Sequence, residues 1–224
     1  KILGGMKIPI LEKEGFEADD IIGTVAKDAE ENNFKVYMVT PDKDFAQLVS
    51  NNIFLCKPAR MGNSMEIWGV EEVKDKFEVQ SPDQVIDYLG MMGDSVDNIP
   101  GLPGVGDKTA KKFISEFGSL EGLFENTDQL KGKIKEKVEQ NKELGILSKK
   151  LATIITDVPL NFKIEDFKLS VHELEETKNL FDDLEFRRLS NSLNSIFSTS
   201  QETIEKKIDS KNNGQFDLFA NTER

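Results

Sequence analysis

The stretch Gly93–Ala110, GDSVDNIPGLPGVGDKTA, packs four glycines and two prolines into eighteen residues. No helix or strand runs through such a segment. Each proline removes a backbone donor, and each glycine admits turns that other residues resist. The chain must therefore turn tightly here and resume as something new at the lysine-rich DKTAKKF. The same stretch poses a chemical question. Asp94 and Asp97 lead into a loop with the make-up of a phosphate-holding turn, yet the chain carries a formal net charge of -12 and should repel phosphate.

Ahead of this stretch the pattern alternates between strand and helix. Ile8–Leu11 reads as a short strand after Gly4 and Gly5. Over Ala18–Asn32 the apolar residues Ile21, Ile22, Val25, Ala26 and Ala29 fall at helical spacing. FKVYMVT, Phe34–Thr40, is a β-rich run stopped by Pro41, and Asp42–Val49 reads as a turn and short helix. Asn52–Leu55 and Met65–Trp68 are further expected strands, so this part predicts an α/β parallel sheet. After Val70 the spacing turns helical, with helices expected over Val70–Phe77, Pro82–Met92, Lys108–Phe117, Leu120–Phe124 and Ile134–Leu151. Asn161–Leu169 reads as extended, and Glu173–Phe197 as two more helices. From Ser198 the composition is polar, and SKNNG has the make-up of a flexible linker. The expected organisation is an α/β core over residues 1–92, a helical region over 93–197 and a tail over 198–224. The opening at Lys1 reads as starting inside a domain.

Composition narrows the chemistry. A mean hydropathy of -0.43 and the lack of a long apolar run argue against a membrane span, and no signal peptide is visible. Cys56 is the only cysteine, which excludes an internal disulfide and fits a reducing compartment. His172 is the only histidine, so serine–histidine catalysis and histidine-rich zinc sites have almost nothing to use. With 41 acids against 29 bases, any metal chemistry here uses oxygen ligands.

Three groups of acids stand out: Glu17, Asp19 and Asp20 in FEADD; Asp42 and Asp44 in TPDKD; Asp94 and Asp97 in GDSVD. Taken singly, each has an ordinary reading. Acids in a first helical turn suit the helix dipole, and aspartate after a strand is a common turn residue. Functional groups of an open α/β sheet gather beyond the carboxyl ends of its strands, where the first two groups fall. Carboxylates brought together there raise one another's pKa unless a cation neutralises them. Magnesium or manganese suits an all-oxygen site, and two such ions about 4 Å apart activate water and stabilise the leaving oxygen in phosphodiester cleavage.

IPGLPGVGDKTAKKF is the most specific signal. Gly101, Gly104 and Gly106 are expected to allow positive φ and close approach to a ligand. The free amides ahead of Lys108 are placed to hold phosphate oxygens, and Lys108, Lys111 and Lys112 add positive charge. This resembles a helix-hairpin-helix, the GxGxxTA form, with Thr109 in the threonine position, found in proteins that grip duplex DNA by its backbone. A Walker A loop has different spacing and a closing lysine–serine/threonine pair. The bland alternative is a glycine-rich helix connection. From Gly101 to Lys150, ten lysines outnumber eight acids, so the basic charge is local.

FEADD, TPDKD, GDSVDNIPG and GVGDKTA, in this order, resemble the 5′-nuclease domain of bacterial DNA polymerase I, within the flap endonuclease family. LSKKLATIITDVPL at Leu147–Leu160 and LEFRRL at Leu184–Leu189 extend the resemblance, which spans Ile2–Phe197. It implies a PIN-like α/β nuclease core followed by a helical DNA-binding region, and metal-dependent cleavage of 5′ flaps and ends in replication and repair. It also implies a location with the DNA of a bacterial cytoplasm. By this resemblance Glu17, Asp19, Asp20, Asp42 and Asp44 line the metal site nearest the scissile phosphate, and Asp94 and Asp97 hold a looser ion. The hairpin around Gly104 and Gly106 holds a potassium ion through carbonyls and bridges it to a duplex phosphate. The family's earlier strand, its helical arch with further aspartates, and its phosphate-orienting basic residues have no counterpart here. The expectation is therefore a chain that binds duplex DNA and turns over little.

Competing readings are a non-catalytic duplex-binding module and a piece that acts only when tethered to a polymerase. In the tail, Gln215, Leu218 and Phe219 of GQFDLFA fit a Q-x-x-L/M-F pattern resembling peptides that dock on the bacterial sliding clamp. The plain reading is a linker toward polymerase domains. Trp68 and Phe54 are expected to pack in the core or at an edge, Cys56 to be a small strand residue, and His172 and the acids Glu173–Glu176 to be solvated.

Overall fold

The VYMV and IFLCK runs, rich in β-branched and aromatic residues, form β1 (Val36–Val39) and β2 (Ile53–Lys57), and β3 (Glu66–Trp68) completes a three-stranded sheet of order β1-β2-β3. The computed structural model describes residues 1–58, 64–168 and 174–192. β1 and β2 run parallel with Met38 opposite Leu55, as the alternating pattern predicts. β3 departs from that expectation: it lies antiparallel on the other side of β2, with Leu55 opposite Trp68. The eight residues between β2 and β3 are too few for the crossover that a parallel pair needs. Met38, Leu55 and Trp68 thus share one buried face. On the other face Tyr37 and Phe54 stack with ring centres 5.2 Å apart. Trp68 meets Phe77 edge-on, and Cys56 is fully buried, so all three set-aside residues are packing residues.

The chain forms two compact units, Leu11–Ile164, and Lys1–Ile10 with the described residues from Glu165 onward. In the larger unit the sheet is flanked by α2 (Ala18–Glu31) and α3 (Val70–Phe77), with a fully buried 3₁₀ turn, Asp44–Leu48, after β1. The helices α4 (Gln84–Met92), α5 (Asp107–Phe117), α6 (Leu120–Glu125), α7 (Gly132–Gln140) and α8 (Lys142–Ala152) follow. α4 is apolar nearly all round, and its Val85, Leu89 and Met91 are fully buried, so it is the central helix. It crosses α8 closely because Gly90 has no side chain: a Cβ there would lie 2.9 Å from the Cα of Lys149.

In the smaller unit, α1 (Ile2–Gly5) packs with α9 (Leu174–Asp183), where Thr177 Oγ1 donates to the Gly5 carbonyl at 2.9 Å. The strand expected at Ile8–Leu11 does not form. Lys7 takes a left-handed φ of 52° and Ile8 N donates back to the Leu3 carbonyl, which caps α1 instead. The single helix expected over Ile134–Leu151 is two. Asn141 stops α7 by donating its side chain to the Lys137 carbonyl at 2.8 Å, with its own backbone out of helical geometry. The extended reading of Asn161–Leu169 is corrected by a 3₁₀ turn at Ile164–Phe167. Of the two helices expected over Glu173–Phe197, α9 and a helical turn at 187–192 are described. His172, Gln215, Leu218 and Phe219 lie outside the described residues.

The loop after α4 folds back on itself. Asp94 and Ile99 exchange backbone hydrogen bonds, and Gly101, at φ 64°, lies so close that a Cβ would sit 2.5 Å from the Gly93 nitrogen. The expectation that Gly101 serves ligand approach is thus corrected: it is buried and makes a backbone-on-backbone contact. Gly106, at φ -112°, does not take the positive φ expected of it, and space beside it is open. Gly101→Ala is therefore expected to cost more than about 2 kcal/mol in urea unfolding, through strain and a contact with no flexible partner. Gly106→Ala, at the N-cap of α5, is expected to cost less than about 1 kcal/mol.

Candidate metal centre

Each acidic group first does the local work expected of its position. Asp20, in the first turn of α2, accepts from the Glu17 amide at 3.2 Å with one oxygen. Its other oxygen accepts from the Ile155 amide at 2.8 Å, which ties the segment after α8 to the start of α2. Asp42 accepts from the Asp44 amide at 2.9 Å, closing the turn after β1. Asp94 accepts from the Val96 amide at 2.8 Å in the loop after α4. The cap and turn readings are thus correct as far as they go.

The same groups also converge. Glu17, Asp19, Asp20, Asp42, Asp44 and Asp97 line one cavity of about 350 Å³, together with Leu151–Ile154. Asp94 joins them through Asp44 and Asp97: one carboxylate oxygen from each of the three lies within 4.8 Å of the others. All seven predicted acids therefore belong to one constellation. Asp44 straddles the division into two sets that the resemblance implies, since it lines the cavity and also sits in the tight trio.

The electrostatics follow from burial and repulsion. Burial, then the charges of Asp42, Glu17, Asp20 and Asp97, push the Asp19 carboxyl up to about 6. Burial likewise raises Asp44 to about 6; Lys43 opposes the rise, and Asp42, Asp94 and Asp97 add to it. Asp94 is held below the usual carboxylate range, chiefly by its hydrogen bond from Lys43. Among the described residues, the Asp44 Oδ1 atom is buried with no hydrogen-bond partner, an arrangement that costs free energy unless something positive meets it. An all-oxygen set with a desolvated carboxylate oxygen that accepts no hydrogen bond fits a hard divalent cation such as magnesium or manganese.

Sequence reasoning missed the groups that hold these acids in place. Lys43, between the two aspartates of TPDKD, hydrogen-bonds Asp94 and lies 3.7 Å from Asp44 Oδ1. A lysine flanked by two expected metal ligands was itself the available signal. Gln47 donates to the Asp44 and Ala152 carbonyls at 3.0 and 2.9 Å and accepts from the Ile154 amide at 2.9 Å, tying the 3₁₀ turn to the end of α8. Buried Ser148 accepts from the Gly101 amide at 2.9 Å, anchoring the hairpin to α8. A polar residue inside an apolar run was the only sign of either.

The hairpin leads into α5, whose N-cap is Gly106. Gly104 is exposed at φ 85°, and a Cβ there would meet the Lys137 ammonium at 2.8 Å, so Lys137 adds a charge beside the turn that the motif alone did not reveal. Lys108 and Lys112 are exposed. Lys111 is engaged internally, 3.3 Å from Glu78 and 3.4 Å from Asp107, which differs from its expected place among the phosphate-facing lysines. Gly104, Thr109 and Lys112 border an open groove of about 840 Å³ between α5 and α7.

Comparison with known proteins gives a consistent picture. The chain is 41% identical over 190 residues to the DNA polymerase I of Bacillus subtilis (strain 168), covering 84% of this chain and 22% of that protein. It is 36% identical over 211 residues to the DNA polymerase I of Caldicellulosiruptor bescii, covering 93% and 25%. The chain thus spans about a quarter of the length of the curated relatives it matches. Among solved structures, the T5 5′-exonuclease with bound zinc superposes with a TM-score of 0.57 at 24% identity, over 66% of this chain and 54% of that one. The catalytic core of Rad2 in complex with DNA substrate gives 0.55 at 18%, over 81% and 61%. These two show a shared fold: an α/β PIN-like core with a helical region behind it. Residues 1–78 match the family model described as the 5′-3′ exonuclease N-terminal resolvase-like domain, and residues 80–175 match the 5′-3′ exonuclease C-terminal SAM fold. With both halves matched in order, the chain belongs to the 5′-3′ exonuclease family.

Proposed function

We propose that the chain is the metal-dependent 5′-nuclease portion of a DNA polymerase I. It hydrolyses phosphodiester bonds at 5′ flaps and ends of DNA in replication and repair, with the remaining polymerase domains as its tethered partners. The observation that carries this reading is the convergence of seven carboxylates from three separated segments, six lining one cavity and Asp94 joined to them through Asp44 and Asp97, around a buried Asp44 oxygen with no hydrogen-bond partner. The relatives named DNA polymerase I and the metal- and DNA-bound structural neighbours support it.

In this reading Asp44, Asp94 and Asp97 hold one magnesium or manganese ion, and Glu17, Asp19, Asp20 and Asp42 hold a second, with Asp44 between them. Bound ions supply a nucleophilic water at neutral pH and charge for the leaving oxygen. The protein's own part is positional. The Ile155 amide and the α2 first turn fix Asp20, the Asp44 amide fixes Asp42, and Gln47 fixes the turn that carries Asp44. The hairpin grips the duplex. Amides ahead of Lys108, the Thr109 hydroxyl, and Lys108, Lys112 and Lys137 meet backbone phosphates, and carbonyls around Gly104 are placed to take a potassium ion.

A second reading rests on the hairpin, which needs no divalent ion: a non-catalytic duplex-binding module. Cleavage of a 5′-flap duplex by this polypeptide separates the two. Turnover that requires manganese or magnesium and falls at least about a hundredfold with Asp44→Asn supports the nuclease, as expected for loss of a charge-stabilising group. Flap binding with neither cleavage nor manganese binding at the acids selects the binding module; manganese binding lost with Asp44→Asn, even at low turnover, supports the nuclease portion. In either case duplex affinity is expected to fall steeply with salt and to weaken with Lys108→Glu, while surviving Asp42→Ala.

The raised carboxyls set a pH dependence. A group whose pKa is higher folded than unfolded stabilises the fold fully below its unfolded pKa, about 4 for aspartate, and that stability is lost as pH rises through the folded value. For Asp19 and Asp44 that value is about 6, so the metal-free chain is expected to lose stability between about pH 4 and 6. A divalent ion must displace those protons. The increase in Tm on adding manganese is expected to grow from pH 5 to pH 7 and then level off; an increase independent of pH would contradict this assignment.

A further inference from the structure

We infer that the Lys43 ammonium is an internal counter-ion that holds the Asp44–Asp94 pair when no divalent ion is bound, and that arrival of the ion displaces it. This inference rests on the metal-centre reading above. Lys43 hydrogen-bonds Asp94 Oδ2 and lies 3.7 Å from Asp44 Oδ1. That second oxygen is the buried atom left without a hydrogen-bond partner. Asp44 and Asp94 are also two of the three residues whose ligand oxygens gather within 4.8 Å, with Asp97 as the third. The carboxylates that would take an ion are therefore the carboxylates the ammonium now faces.

Two cations cannot share this place without cost. An ammonium and a divalent ion on the same two carboxylates repel at contact range. In partly buried surroundings such an interaction is several times stronger than in water. Lys43 is able to leave. Its side chain is 37% exposed, whereas that of Asp94 is 8% exposed, and its four-carbon stem is flexible. A lysine with a purely structural role would remain in contact with both carboxylates in either state, and ion affinity would then depend on it favourably or not at all. Competition makes the opposite demand: by linkage, whatever the ammonium contributes to the metal-free site, the ion must overcome.

The test is a manganese titration of the 224-residue chain by calorimetry, with circular dichroism as the check on folding. Lys43→Met keeps the stem and removes the charge. It is expected to bind manganese about fivefold or more tighter than the unaltered chain, the lower end of ordinary coupling between two sites, and to melt at a lower temperature in EDTA. Lys43→Arg keeps the charge and is expected to bind no tighter than the unaltered chain. Equal or weaker binding by folded Lys43→Met overturns the inference and leaves the metal centre standing. No manganese binding by the unaltered chain overturns the metal centre, and the inference with it. Should Lys43→Met fail to fold in EDTA, recovery of the folded chain by manganese supports the inference and failure to recover overturns it.

Discussion

The constraint on which the rest of this structure depends is repulsion. Carboxylate oxygens of Asp44, Asp94 and Asp97 are brought within 4.8 Å of one another by segments that are distant in the chain. Two like charges at that range, partly buried, repel by roughly 3 kcal/mol at an effective dielectric of about 20. A fold tolerates this only if its backbone is pinned from several sides. Gln47 ties the Asp44 turn to Ala152 and Ile154, Asp20 ties α2 to Ile155, and Gly101 on Gly93 closes the loop that carries Asp94 and Asp97. Each tether uses backbone amides or carbonyls, which do not relax away as a surface side chain would. The stored repulsion becomes affinity once a cation arrives.

That architecture explains which parts of the fold were legible in the sequence. β1, α2, α3 and α5 announced themselves because their apolar spacing reports a face buried against neighbours close in the chain. The reversal of β3 was legible only through the length of its connection to β2, since a strand's own residues do not carry its direction. The break at Asn141 depends on one side chain bonding the Lys137 carbonyl, an event that leaves helical periodicity intact on both sides and so escapes a periodic reading. Ile8–Leu11 shows the converse. An apolar run with β-forming residues stays out of the sheet because Lys7 has already committed the backbone to ending α1.

The site was legible to a greater degree than the scaffold around it. Seven acids were named from their positions at helix starts and after strands, and all seven lie in one constellation. What the sequence hid was the second use of each residue. Asp20 is a cap and also a tether, Asp42 a turn residue and also a cavity wall, Lys43 a neighbour in sequence and also the cation facing Asp94. Gly101 matched a ligand-binding pattern, but its glycine is required by the approach of another backbone. Motifs record residue types, whereas the Asp20–Ile155, Lys43–Asp94 and Gly101–Ser148 contacts each span more than forty positions.

In the proposed function, an acidic chain and a polyanionic partner are reconciled by keeping two kinds of positive charge apart. At the hairpin, Lys108, Lys112 and Lys137 stand near exposed amides, so attraction to phosphate there is permanent and weakened by salt. Among the described residues that line the cavity the charged side chains are all acids, and Lys43 beside them is already committed to Asp94. In the proposed function a phosphate is repelled from the cavity until divalent ions offset much of that negative charge. Under that reading, duplex binding and bond cleavage answer to different variables, ionic strength for one and divalent ion for the other. A single loop, running from Asp94 through Gly101 into α5, fixes the spacing between them.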